Sequence, residues 1–95
     1  MKIDPKTNLA VTDYSEMDIC DLAQVILKDW TNMYFGAVPY VEAMGYVRKL
    51  SDPYGVEDGA TQVIYFLGNA NTWRGEVARQ VKKELNKRVK ESYKH

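Results

Sequence analysis

Ser15-Glu16-Met17-Asp18-Ile19-Cys20-Asp21-Leu22-Ala23-Gln24-Val25-Ile26-Leu27-Lys28-Asp29-Trp30 is the stretch whose spacing decides the fold class. Its apolar residues Ile19, Leu22, Ala23, Ile26, Leu27 and Trp30 recur three and four apart, which stacks them on one face of an α-helix. Ser15 stands three residues before the carboxylate of Asp18, the pattern of a helix-start cap. Together these features predict a first helix over about residues 16–33.

Upstream, residues 1–14 show no sustained period and include Pro5, Asn8 and Asp13, so they read as an irregular arm with one strand-like patch at Leu9-Ala10-Val11. Downstream, Tyr34-Phe35-Gly36-Ala37-Val38-Pro39-Tyr40 interrupts the helical pattern. Gly36 suits a left-handed helix exit, and Pro39 suits the first turn of the next helix, where its missing N–H is not needed. A second helix is expected over about 39–50, with Tyr40, Met44, Val47 and Leu50 on one face. Ser51-Asp52-Pro53-Tyr54-Gly55 is a turn in which proline fixes φ and glycine supplies a positive one. A third helix is expected over about 56–69, carrying Ala60, Val63, Ile64, Leu67 and Ala70, and Asn69-Ala70-Asn71-Thr72 marks a break. A fourth spans about 72–92.

Four helices with short connections predict an all-α, single-domain bundle over 15–95, preceded by the arm. Its core should centre on Leu22, Ile26, Trp30, Val63, Leu67, Val77 and Val81. The chain has 95 residues, 45% apolar and 27% charged, as expected of one ordinary globular domain. Cys20 is the single cysteine, so no intrachain disulfide can form. The longest apolar runs fall far short of a membrane span, and the first residues lack the apolar core of a signal peptide, so a cytosolic location is expected.

Charge divides the chain. Arg74 to His95 hold eight Lys and Arg against three Glu, a net of +5, whereas the preceding residues, with five bases and ten acids, carry −5. On the last helix Val77, Ala78, Val81, Leu85 and Val89 share one side, and Arg79, Lys83, Lys87, Lys90 and Lys94 form a ridge almost opposite. Arg88 falls on the apolar side, which predicts that core contact ends near Leu85 and the final turns leave the body.

The inventory for catalysis is thin. His95 is the only histidine, so a His base, a Ser–His or Cys–His pair and a His-bearing zinc site are all disfavoured. Cys20 reads as a half-buried thiol. The glycines form neither a dinucleotide fingerprint nor a phosphate-binding loop. Asp18 with Asp21, and Glu57 with Asp58, are carboxylate pairs at helix starts, where the helix dipole alone favours them. No catalytic residue, metal or cofactor is expected, and a metal-dependent hydrolase is a distant third reading.

Two surfaces remain. Trp30, Tyr34, Phe35, Tyr40 and Tyr46 crowd one short segment; the plain reading puts Trp30 and Phe35 in the core, and the functional one makes Tyr34, Phe35 and Tyr40 protein-binding anchors. The basic ridge is either a solvated face, a protein-binding face or a nucleic-acid contact. A helix-turn-helix arrangement of the third and fourth helices fails, because Ile64 stands where a small residue belongs and Arg74 where an apolar one does.

Tyr65-Phe66-Leu67-Gly68-Asn69-Ala70, then Thr72 to Arg79, then Lys83-Glu84-Leu85-Asn86, together with Tyr34 to Tyr40, resemble small uncharacterised proteins encoded by bacteriophages and integrative elements of Gram-positive bacteria. The resemblance implies small non-catalytic proteins that bind a host macromolecule, including inhibitors of defence nucleases. It attaches no activity or site residue. The expectation is therefore a non-enzymatic protein-binding module, an inhibitor or adaptor, with a nucleic-acid-binding protein as the alternative.

Overall fold

The computed structural model describes residues 13–92 in full and, before them, the backbone of two short strands, β1 (Lys2–Ile3) and β2 (Ala10–Val11). A 3₁₀ turn at Tyr14–Glu16 leads into α1 (Ile19–Asp29). A second 3₁₀ turn, Phe35–Ala37, runs into α2 (Val38–Met44). The strands β3 (Pro53–Tyr54) and β4 (Glu57–Asp58) then precede α3 (Gly59–Gly68) and α4 (Glu76–Ser92). The helical class expected from periodicity holds, but the fold is not purely α. Antiparallel pairs join β1 to β2, with Lys2 opposite Val11, and β3 to β4, with Tyr54 opposite Glu57.

Each helix is shorter than its apolar period. Ser15 is not the cap of α1: the Asp13 carboxylate accepts the Ser15 N–H, which winds residues 14–16 into the 3₁₀ turn. Asp18 occupies the cap position, and the Ile19 N–H donates to the Arg48 carbonyl at 2.9 Å. α1 stops at Asp29 because Trp30 turns inward to stack on Trp73, their ring centroids 5.8 Å apart. Leu27, expected on the buried stripe, is exposed.

Pro39 does sit in the first turn of α2. That helix ends at Met44, not near residue 50. Beyond it the Asp52 carboxylate accepts the N–H groups of Arg48 and Lys49, which holds it below its ordinary pKa and bends the chain so that Val47 still enters the core. Gly55 takes the expected positive φ, +63°, at the tip of the β3–β4 hairpin.

α3 is rotated from its expected phase. Gly59, Gln62, Val63 and Phe66 are buried, while Ile64 is exposed and Leu67 is only half-buried. Phe66 wins because it meets Trp30 and Trp73 edge-on, at 6.4 and 6.1 Å, a shape that aromatic rings fill and Leu67 does not. Gln62 tolerates burial because its amide donates to Glu57 at 3.1 Å.

Asp58 caps α3, accepting the Thr61 N–H at 2.9 Å and its hydroxyl at 2.8 Å. Those bonds lower the carboxyl pKa below its ordinary 3.8. A carboxylate with a depressed folded pKa contributes stability that is complete above the unfolded value and is lost as pH falls through the folded one. Asp58→Ala should cost about 1 kcal/mol near neutral pH. The deficit relative to the parent should shrink in acid below the ordinary carboxylate range, as read by urea unfolding across that range. A deficit constant with pH would show that the cap works without its charge.

α4 starts at Glu76, after Gly75 at φ +112°, rather than at residue 72. Ala78, Val81 and Leu85 are buried, whereas Val77, expected at the centre, is half-buried. The last turns do not leave the body. Arg88 donates through Nε to Glu84 at 2.6 Å and through Nη2 to the carbonyls of Tyr14 and Ser15 at 3.1 and 3.3 Å, and Val89 extends the core contact.

Candidate functional site

The Phe35–Ala37 turn positions the aromatic candidates. Tyr34 precedes it, with the Ala37 N–H donating to the Tyr34 carbonyl at 2.9 Å. Gly36 is not left-handed, as the sequence led one to expect; its reason is space. A Cβ there would meet Tyr34 Cε2 at 2.5 Å and Asn69 Oδ1 at 3.1 Å. The tyrosine ring therefore lies over the backbone, and the turn sits against the C-terminal end of α3. The Tyr34 and Phe35 ring centroids are 4.9 Å apart, and the two residues are 44% and 80% exposed. Phe35 is thus no part of the core, in contrast to Trp30, which is buried.

Tyr40 is half-buried on α2 and its ring lies 5.4 Å from that of Tyr65 on α3. Asn69 donates to the Tyr65 carbonyl at 2.8 Å, one helical turn on, and so links this pair to the turn. The fold gathers Tyr34, Phe35, Tyr40 and Tyr65 along one side of α2 and α3. Tyr65 is not among the anchors that the sequence offers, because it falls off the expected apolar stripe of α3. The available signal was the absence of any charge from Gly59 to Gly68. Tyr46, highly exposed, is not part of this side; its ring is 6.3 Å from that of Tyr54 on the β3–β4 hairpin.

On α4, Arg79, Lys83, Lys87 and Lys90 are all exposed, and Lys94 lies outside the described residues. Arg79 is engaged by Glu76 at 2.6 Å, which raises the guanidinium pKa and lowers that of the carboxyl. Lys83, Lys87 and Lys90 form no ion pair among the described residues. They line an open groove against Asp13, Tyr14 and Ser15 that also contains Glu84 and Glu91, so its walls are mixed in sign.

The remaining polar groups are dispersed. Asp18, Cys20 and Asp21 bring their ligand atoms within 4.8 Å of one another at the start of α1, with both carboxylates exposed and the thiol partly buried. Trp73, which is buried, donates its indole N–H to Asp29 at 2.8 Å and floors a polar cleft bounded by Thr31, Asn32, Thr72 and Arg74. Beside it Lys82 donates to the Trp73 carbonyl at 2.6 Å; burial and, secondarily, the nearby Arg74 charge push its pKa down. Among the described residues no helix is long and apolar enough to cross a membrane. Comparison with known protein families, curated proteins and solved structures finds no match for this chain.

Proposed function

We propose that this chain is a non-catalytic binding protein whose aromatic side, Tyr34, Phe35, Tyr40 and Tyr65, docks on another protein. The supporting observation is Phe35, 80% exposed on a turn whose shape is held by Gly36 and Pro39. A large apolar ring held in water on a preorganised turn loses little entropy on docking, and aromatic anchors dominate protein interfaces. In the phage and integrative-element setting that the sequence resembles, the partner is a host factor such as a defence nuclease, and the role is that of an inhibitor or adaptor. That extension rests on the resemblance alone.

The test is capture from a Gram-positive bacterial lysate with the immobilised chain, comparing the parent with Tyr34→Ala/Phe35→Ala. Each anchor of this type contributes about 2 kcal/mol or more, so partner affinity should fall at least about tenfold. The thermal midpoint should move little. Equal capture by both proteins sinks the proposal.

The second reading, nucleic-acid contact through Arg79, Lys83, Lys87, Lys90 and Lys94, draws on Lys83, Lys87 and Lys90, exposed on α4 and without an ion pair among the described residues. Titration with duplex and single-stranded DNA at two salt concentrations separates the readings, because phosphate contacts are steeply salt-dependent. No binding at low salt is the expected result, given the acids that share the groove. Salt-sensitive binding lost on reversing Lys83, Lys87 and Lys90 to Glu would favour the second reading instead.

A further inference from the structure

The cleft over Trp73 plays no part in the aromatic docking side. It holds about 280 Å³ and opens between the C-terminal end of α1 and the chain that leads from α3 into α4. Its lining carries two opposite charges, Asp29 from α1 and Arg74 from the approach to α4. Both residues are exposed, yet they form no ion pair with each other or with any other described residue. The two charges are held apart rather than neutralised.

Asp29 is an unexpected residue for its place. It ends α1, where the helix dipole is negative and disfavours a carboxylate. Its hydrogen bond from the Trp73 indole, at 2.8 Å, requires an acceptor and not a charge, so an asparagine would serve as well. A negative charge is thus kept where local structure opposes it, and such conflicts concentrate at functional positions. On the Arg74 side the field is positive. Glu76, the acid nearest to Arg74 in sequence, is taken up by Arg79 and Gln80. The Arg74 charge instead reaches Lys82, whose ammonium donates to the Trp73 carbonyl. Thr31, Asn32 and Thr72 complete the lining with hydroxyl and amide groups that make no side-chain hydrogen bond among the described residues.

We propose that this cleft binds a free α-amino acid with an uncharged polar side chain, its ammonium toward Asp29 and its carboxylate toward Arg74. A separated pair of opposite charges matches a zwitterion, because a ligand of one sign would be repelled by one of the two. The volume lies just below the range of about 300–1,000 Å³ that drug-sized ligands occupy, which suits a molecule as small as an amino acid. Thr31, Asn32 and Thr72 offer its side chain hydrogen bonds and no charge.

Trp30 and Trp73 are the only tryptophans of the chain and both line the cleft, so their emission reads its occupancy. Titrating the full chain with L-serine and with L-asparagine, to about 10 mM, should give a saturable change with its midpoint at or below about 1 mM. N-acetyl-L-serine and L-serinamide each lack one charge and should bind at least about tenfold more weakly than L-serine. Asp29→Asn and Arg74→Gln should weaken L-serine binding by a similar factor. Asp29→Asn keeps an acceptor for the indole, and Arg74→Gln alters an exposed side chain without a hydrogen bond, so helical circular dichroism should be unchanged in both. If Asp29→Asn fails to fold, Arg74→Gln decides the matter. No saturable change in emission with either amino acid, together with no shift of the Trp73 indole N–H resonance, overturns the site. So does equal binding of serine and serinamide, or binding indifferent to Arg74→Gln.

Discussion

Trp73→Ala is expected to remove about 3–5 kcal/mol of stability, a large share of what a domain of this size possesses. The indole stacks on Trp30 at 5.8 Å and 14°, and meets Phe66 edge-on at 6.1 Å. Truncation would leave a void between α1 and α3 where rigid aromatic rings cannot close up. It would also strip Asp29 of its indole donor and Lys82 of the ring face 5.9 Å from its ammonium. Trp73→Phe keeps most of the volume and should cost clearly less. Urea unfolding gives both values, and a loss under about 1 kcal/mol for Trp73→Ala would mean that the three rings do not share one core.

Arg88→Ala should cost about 2–3 kcal/mol, through two losses that act together. Glu84, its side chain only 13% exposed, would keep its charge without a counter-ion, and the carbonyls of Tyr14 and Ser15 would lose their donor. Arg88 itself is 19% exposed, so the fork is mostly shielded from water. The pair of Arg79 with Glu76 is well exposed and screened by water, so Arg79→Ala should leave stability essentially unchanged. Hydrogen exchange should show the backbone around Tyr14–Met17 opening in Arg88→Ala and not in Arg79→Ala. Equal effects of the two substitutions would remove Arg88 as the tie between the start of the domain and α4.

The two surfaces differ in how far residue order alone reveals them. The exposure of Arg79, Lys83, Lys87 and Lys90 follows from the helical wheel, because charged side chains opposite the apolar stripe of a helix stay in water. The aromatic side does not follow in this way. Trp30 and Phe35 are both large and apolar and stand five residues apart, yet one is buried and the other is, with Tyr46, the most exposed ring among the described residues. Nothing local separates them. Trp30 finds Trp73 and Phe66 across the core, whereas Phe35 opens a turn that points it outward.

Periodicity by itself determined that four helices form and that α1 buries Ile19, Leu22, Ala23 and Ile26. Those features depend on neighbours three and four residues apart, which any window of the chain contains. Tertiary structure alone decided the phase of α3, the early ends of α1 and α2, and the fate of Arg88. Phe66 and Leu67 are both apolar and point about 100° apart on a helix, so either could have faced inward; two tryptophans from other elements chose Phe66. Arg88 reads as a cation misplaced on an apolar face until the carbonyls 73 and 74 residues earlier come within reach. A short-range period specifies which face of a helix can be buried, and only the shape and polarity of what arrives from far along the chain specify which residues on its edges are.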